Sequence, residues 1–117
     1  MMAARTLDRI AAATPDLRGV RASDVRPGDW VLVRTRNSVY SLAALGDGRF
    51  AASGGWFAAG GASAAPIRVA GCTWGGSAIV TGLVAAPDMY VEFENGVRTT
   101  RVSEVQLIRD GEPLTIH

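Results

Sequence analysis

The stretch Met89-Tyr90-Val91-Glu92-Phe93-Glu94-Asn95-Gly96-Val97-Arg98-Thr99-Thr100-Arg101-Val102 decides the fold. Its first six residues alternate strictly, so Met89, Val91 and Phe93 point to one side of a strand while Tyr90, Glu92 and Glu94 point to the other. Asn95-Gly96 is a strong short hairpin signal. Val97 to Val102 then returns as the partner strand, and Glu92 and Glu94 can meet Arg98 or Arg101 on the solvent face. Glu92 and Glu94 lie about 7 Å apart by strand rise. The arginines opposite make salt bridges a simpler reading of them than catalysis or calcium binding.

The same pattern continues in both directions. Downstream, Glu104–Ile108 reads as a strand, Asp110-Gly111 as a turn and Pro113–Ile116 as a last strand. Upstream, strands are expected at 30–36, 39–42, 49–53, 66–70, 78–81 and 83–86, separated by the turn signals Asn37-Ser38, Gly46-Asp47-Gly48, Gly54-Gly55 and Pro87-Asp88. Pro27-Gly28 suits a type II turn. Residues 58–65 (AAGGASAA) read as a small-residue surface loop, and 71–77 (GCTWGGS) as a glycine-rich bend. Seven or eight short strands without a helical segment between them imply a mainly β chain. It is expected to be a small antiparallel barrel, SH3-like or OB-like, or a compact sandwich. No βαβ unit is present to carry a dinucleotide or P-loop site.

The start is different. Residues 3–13 (AARTLDRIAAA) predict one N-terminal helix with Leu7, Ile10 and Ala11 on one face, ended at Thr14-Pro15. Its narrow apolar stripe needs a surface to pack on. Residues 1–24 are thus expected as helix and connector, and 25–117 as a single β domain.

Composition excludes several chemistries. Among 117 residues there is one cysteine, Cys72, and one histidine, His117. An intrachain disulfide and a structural zinc site are ruled out. Any histidine-based nucleophilic mechanism would depend on His117. Twelve arginines and no lysine exclude a P-loop lysine and Schiff-base chemistry. No cofactor is implied. The net charge is +1, without the basic excess usual for nucleic-acid proteins. No apolar run approaches membrane-spanning length. The first residues lack the apolar core of a signal peptide, which points to a cytoplasmic protein without an anchor.

Candidate site residues follow from what remains. Arg34, Arg36 and Arg68, with Arg49, lie in a stretch whose only acid is Asp47. Tyr40, Trp56 and Trp74 could add stacking surfaces, and consecutive amides at Gly75 and Gly76 could form an anion nest. The alternatives are a polar edge, core aromatics and a glycine-relieved corner. Cys72 reads as a buried, inert residue.

Thr35-Arg36-Asn37-Ser38-Val39-Tyr40, with Thr99-Thr100-Arg101-Val102, resembles a loose set of small bacterial and phage proteins that carry an early T-x-N-S-x-Y and a late T-S/T-x-V stretch. The late match departs from their commoner T-S-P-V. The resemblance implies a small all-β protein of mobile-element origin and assigns no activity. The leading expectation is a non-enzymatic binding or assembly module that contacts a protein partner or itself. The alternative is a binder of a phosphorylated small ligand, nucleotide or single-stranded nucleic acid through Arg34, Arg36, Tyr40, Trp56, Arg68, Trp74, Gly75 and Gly76. An enzyme, the third reading, would have to work with carboxylates alone or with a cofactor no motif marks.

Overall fold

The fold was analysed in a computed structural model that describes residues 18–55 and 66–117. The expected helix over 3–13, Trp56 and the loop 58–65 lie outside the described residues. The elements in order are β1 (Val20–Arg21), a one-turn 3-10 helix (Ala22–Asp24), β2 (Trp30–Thr35), β3 (Val39–Gly46), β4 (Arg49–Gly54), β5 (Pro66–Thr73), β6 (Leu83–Ala85), β7 (Tyr90–Phe93), β8 (Val102–Arg109) and β9 (Glu112–Ile116). The chain is mainly β, as the alternation requires. Seven strands pair antiparallel in the order β7-β5-β4-β3-β2-β8-β9, and β1 pairs with β6 in a second small sheet.

Strand pairing among the described residues leaves this sheet open, with β7 and β9 at its ends. Hydrogen bonds outside the strands link the β7 end to the start of β8. Asp88 N–H donates to Val102 O (2.8 Å), Val102 N–H to Met89 O (2.8 Å) and Thr99 N–H to Val91 O (2.9 Å). The inward side chains of this stretch are those the alternation picks out: Met89, Val91 and Phe93 are buried beside Val31, Val33, Leu42 and Val105. Phe93 meets Tyr40 with ring centroids 6.3 Å apart.

Pro27-Gly28 closes as expected, with Asp29 N–H on Arg26 O (2.9 Å) and Gly28 at φ 95°. Asp47-Gly48 and Asp110-Gly111 each put two successive residues at positive φ, the two-residue hairpin geometry. Asn95-Gly96 differs. Only Gly96 has positive φ, its N–H bonds Phe93 O, and Phe93 N–H bonds Val97 O (2.8 Å). This is a three-residue loop with a glycine bulge, and Asn95 supports it by accepting from Val97 N–H. The extra residue offsets the return segment, so 97–101 is not a strand; it meets β7 at the Glu92–Arg98 bridge and at Thr99, whose N–H donates to Val91 O and whose Oγ1 accepts from Val91 N–H, and strand pairing resumes at Val102 with β2.

Three further expectations need correction. Residues 78–81 form no strand; Val80 makes a single bridge to Cys72. The segment 71–73, expected in a bend, continues β5 past a bulge at Gly71, where φ is 149° and a Cβ would collide with the Val80 carbonyl. Residues 20–24, expected as connector, hold β1 and the 3-10 turn, and Val20 is in the core. At 35–38 the Thr35 hydroxyl ties the turn, donating to Ser38 O and accepting from Ser38 N–H.

One buried ion pair pins the start of β2 to the end of β8. Asp29 is 2% exposed. Its Oδ1 accepts from Arg109 Nε (2.9 Å), and its Oδ2 accepts from Arg109 Nη2 (2.7 Å) and Arg26 N–H (2.8 Å). Arg109 Nη2 also reaches Asp24 O (3.1 Å). The Arg109 guanidinium outweighs desolvation and holds the Asp29 carboxyl below its ordinary range.

Candidate functional site

Val31 and Val33 of β2 face the core, so Trp30, Leu32 and Arg34 face outward. Such a face is usually polar. Here it is not. The registers align Pro66, Ala51, Ala43, Trp30, Ile108 and Pro113 in one row across β5, β4, β3, β2, β8 and β9. The next row holds Ser53, Ser41, Leu32, Gln106 and Ile116. Neither row contains a charge. Trp30 is 45% exposed and Ile116 is 57% exposed. Beside Trp30 the row continues through the small side chains of Ala43 and Ala51. Charged cross-strand neighbours border the rows on both sides: Arg34 and Glu104, joined Nε to Oε1 at 3.4 Å, beyond Leu32, and Arg49 and Arg68 beyond Ala51 and Pro66.

A second feature is a groove of about 280 Å³ between the β3–β4 hairpin and the Gly82–Val84 stretch, with arginines on its rim. A shallower depression of about 640 Å³ lies beside Arg36, Tyr90 and Arg101.

The structure disperses the residues expected to form an arginine and tryptophan face. Arg34 is on β2 with Glu104. Arg36 is in the β2–β3 turn, by the shallow depression. Tyr40 is 6% exposed and belongs to the core, so it offers no stacking surface. Arg68 lines the groove on β5 and donates to Asp47 O. Trp74 is 61% exposed on the bend after β5. Gly75 and Gly76 follow it, but they present carbonyls: Arg98 Nη1 donates to Gly75 O and Nη2 to Gly76 O, both at 3.3 Å. The Gly75 amide is taken by Thr73 Oγ1 (3.1 Å). Arg98 in turn sits on Glu92, Nη2 to Oε1 at 2.7 Å. Of the salt bridges foreseen around 92–101, this is the one that forms; Arg101 instead lies over the Tyr90 ring, 5.9 Å from its centroid.

Trp30, Ile108 and Ile116 escaped the sequence reading as a site. The signal was present: Trp30-Val31-Leu32-Val33 is apolar at both parities, which in a strand means both faces are apolar there.

Cys72 is buried, and its thiol donates to Leu83 O (3.5 Å). Burial pushes its pKa up to about 12, against a smaller lowering by the Ala86 amide. It therefore stays a thiol throughout the physiological range. Labelling by an aromatic disulfide reagent is expected to run roughly a thousandfold or more slower in the native protein than in denaturant. A labelling rate equal in both states would contradict the buried placement. No group of three or more metal-ligating side chains occurs among the described residues. No helix among them is long and apolar enough to cross a membrane. Compared with family models, curated proteins and solved structures, the chain finds no match.

Proposed function

We propose that the chain is a non-enzymatic binding and assembly module, and that its outward β2–β8–β9 face associates with a second copy of itself. The observation that carries this reading is the pair of charge-free rows centred on Trp30. A solvated sheet face gains nothing from an exposed tryptophan among alanines, isoleucines and prolines. A self-complementary contact gains a central aromatic anchor, with the Arg34–Glu104 pair at its polar edge. One patch serving both copies is the commonest route to a closed dimer. β9 adds no long pairing edge, because Pro113 lacks an N–H, so the contact is face to face rather than strand to strand.

The finer architecture is a small SH3-like barrel. Supporting it are the bent β5, shared between β4 and β7, and the hydrogen bonds that carry the sheet from 88–91 to 99–102. The free thiol buried at Cys72 suits a reducing compartment such as the cytoplasm. The nucleic-acid alternative is less well supported, since Arg34 is paired with Glu104, Arg98 with Glu92, and Tyr40 is in the core.

Substitution tests the face. Trp30→Asp sets a charge at the centre of the apolar rows and is expected to abolish self-association while leaving the thermal transition nearly unchanged, because the ring is not in the core. Self-association that survives Trp30→Asp and Ile116→Asp together would overturn the assignment of this face.

A further inference from the structure

We propose that the groove beside the β3–β4 hairpin binds a small organic phosphate, a monoester with an apolar body. The site adjoins one end of the outward rows, since Arg49 and Arg68 lie two residues along β4 and β5 from Ala51 and Pro66, but its groove is lined by other residues. The first observation is a charge conflict. Arg49 of β4 and Arg68 of β5 are direct cross-strand partners, an arrangement of like charges that opposes pairing. Arg26, from the turn before β2, lines the same groove. Among the described residues, no side-chain hydrogen bond or ion pair occupies Arg26 or Arg49. Arg68 spends one N–H on Asp47 O, leaving the rest of its fork of five donors. Three arginines lining one groove thus hold unused donors, although Arg26 also acts on Asp29 by its charge, and an anion beside Arg49 and Arg68 offsets their repulsion. Three planar forks suit the three terminal oxygens of a phosphate better than the two of a carboxylate.

The second observation is the floor. Phe50, Val69 and Leu83 line it, so a ligand gains from an apolar portion that inorganic phosphate lacks. The volume of about 280 Å³ limits that portion to about one or two rings. Two carboxylates set the upper bound on charge. Asp47 and Glu94 share the lining without pairing to the arginines, and they oppose a polyphosphate chain while leaving one phosphate tolerable. Glu94 stays near the arginines because its N–H is fixed on Arg68 O (2.9 Å).

The test is an NMR titration of the full chain with phenyl phosphate, inorganic phosphate and phenol. Phenyl phosphate is expected to give saturable shifts at the amides of Asp47, Gly48, Arg49 and Gly82 to Val84. It should bind about tenfold tighter than either partial probe. The Arg49→Gln/Arg68→Gln double variant should lose about tenfold or more in affinity. It should also fold at least as stably at low salt, since a repulsive pair is removed. Absence of saturation, or equal binding by the double variant, would overturn the site. Equal binding of inorganic and phenyl phosphate would overturn the role given to the apolar floor.

Discussion

Replacing Phe93 by alanine is expected to destabilise the protein by about 3–5 kcal/mol. Phe93 is 1% exposed and among the largest of the fully buried side chains. Its removal deletes a full aromatic transfer term and leaves a cavity against Tyr40. β7 is short, and the glycine-bulged turn that follows Phe93 holds its backbone in place, so the site has little room to collapse. A domain of this size has about 5–15 kcal/mol in total. The variant is therefore expected to lose at least about a fifth of the total, with its urea midpoint falling in proportion. Phe93→Leu fills most of the space and should cost roughly 1–1.5 kcal/mol. A loss below about 1 kcal/mol for Phe93→Ala in urea titration would place the ring outside the core.

Asp29→Asn is the second large effect. The substitution keeps the shape but removes the charge that two Arg109 nitrogens and the Arg26 amide meet. Losing one partner of a buried pair leaves the other uncompensated. Arg109 is 24% exposed on its side chain, so water screens part of that penalty. The expected cost is roughly 2 kcal/mol, or about 10 °C in melting temperature. The pH dependence has a definite sign. The folded carboxyl is held below its ordinary value by Arg109, so its contribution is complete above the unfolded pKa of about 3.9. It is lost as the pH falls through the folded value. Wild type and Asp29→Asn should thus differ most near neutrality and converge in strong acid, by thermal melts across that range. A constant difference at every pH would mean that the charge does not stabilise the fold.

The alternation at 89–94 named the inward residues, and the Asp-Gly turns named two hairpins, because both are local signals. Misreadings arose where a long-range contact decides. Val20 looks like linker because its partner Ala85 lies far along the chain. Residues 97–101 look like a strand because the glycine bulge that offsets them is set by backbone geometry, not residue type. Asp29 and Arg109 stand too far apart in sequence to suggest each other, and nothing near either marks it as buried. Every buried side-chain polar atom among the described residues nonetheless has a hydrogen-bond partner. The arginine and tryptophan face failed for the opposite reason. Spacing showed that these residues were near in sequence, but strand pairing leaves Arg34 beside Glu104 and Arg68 at the groove by the β3–β4 hairpin, and Trp74 lies on the bend after β5. The apolar rows exist only as a register. Ala43, Ala51, Trp30 and Ile108 have no common sequence spacing, and only pairing brings them side by side.

Sedimentation equilibrium of the wild-type chain, from about 1 µM to about 300 µM, tests the account most directly. The outward apolar rows predict a mass that rises with concentration toward twice the 12.2 kDa of one chain. They also predict that Trp30→Asp holds it at one chain throughout. A wild-type mass that stays at one chain over the whole range would contradict assembly through this face.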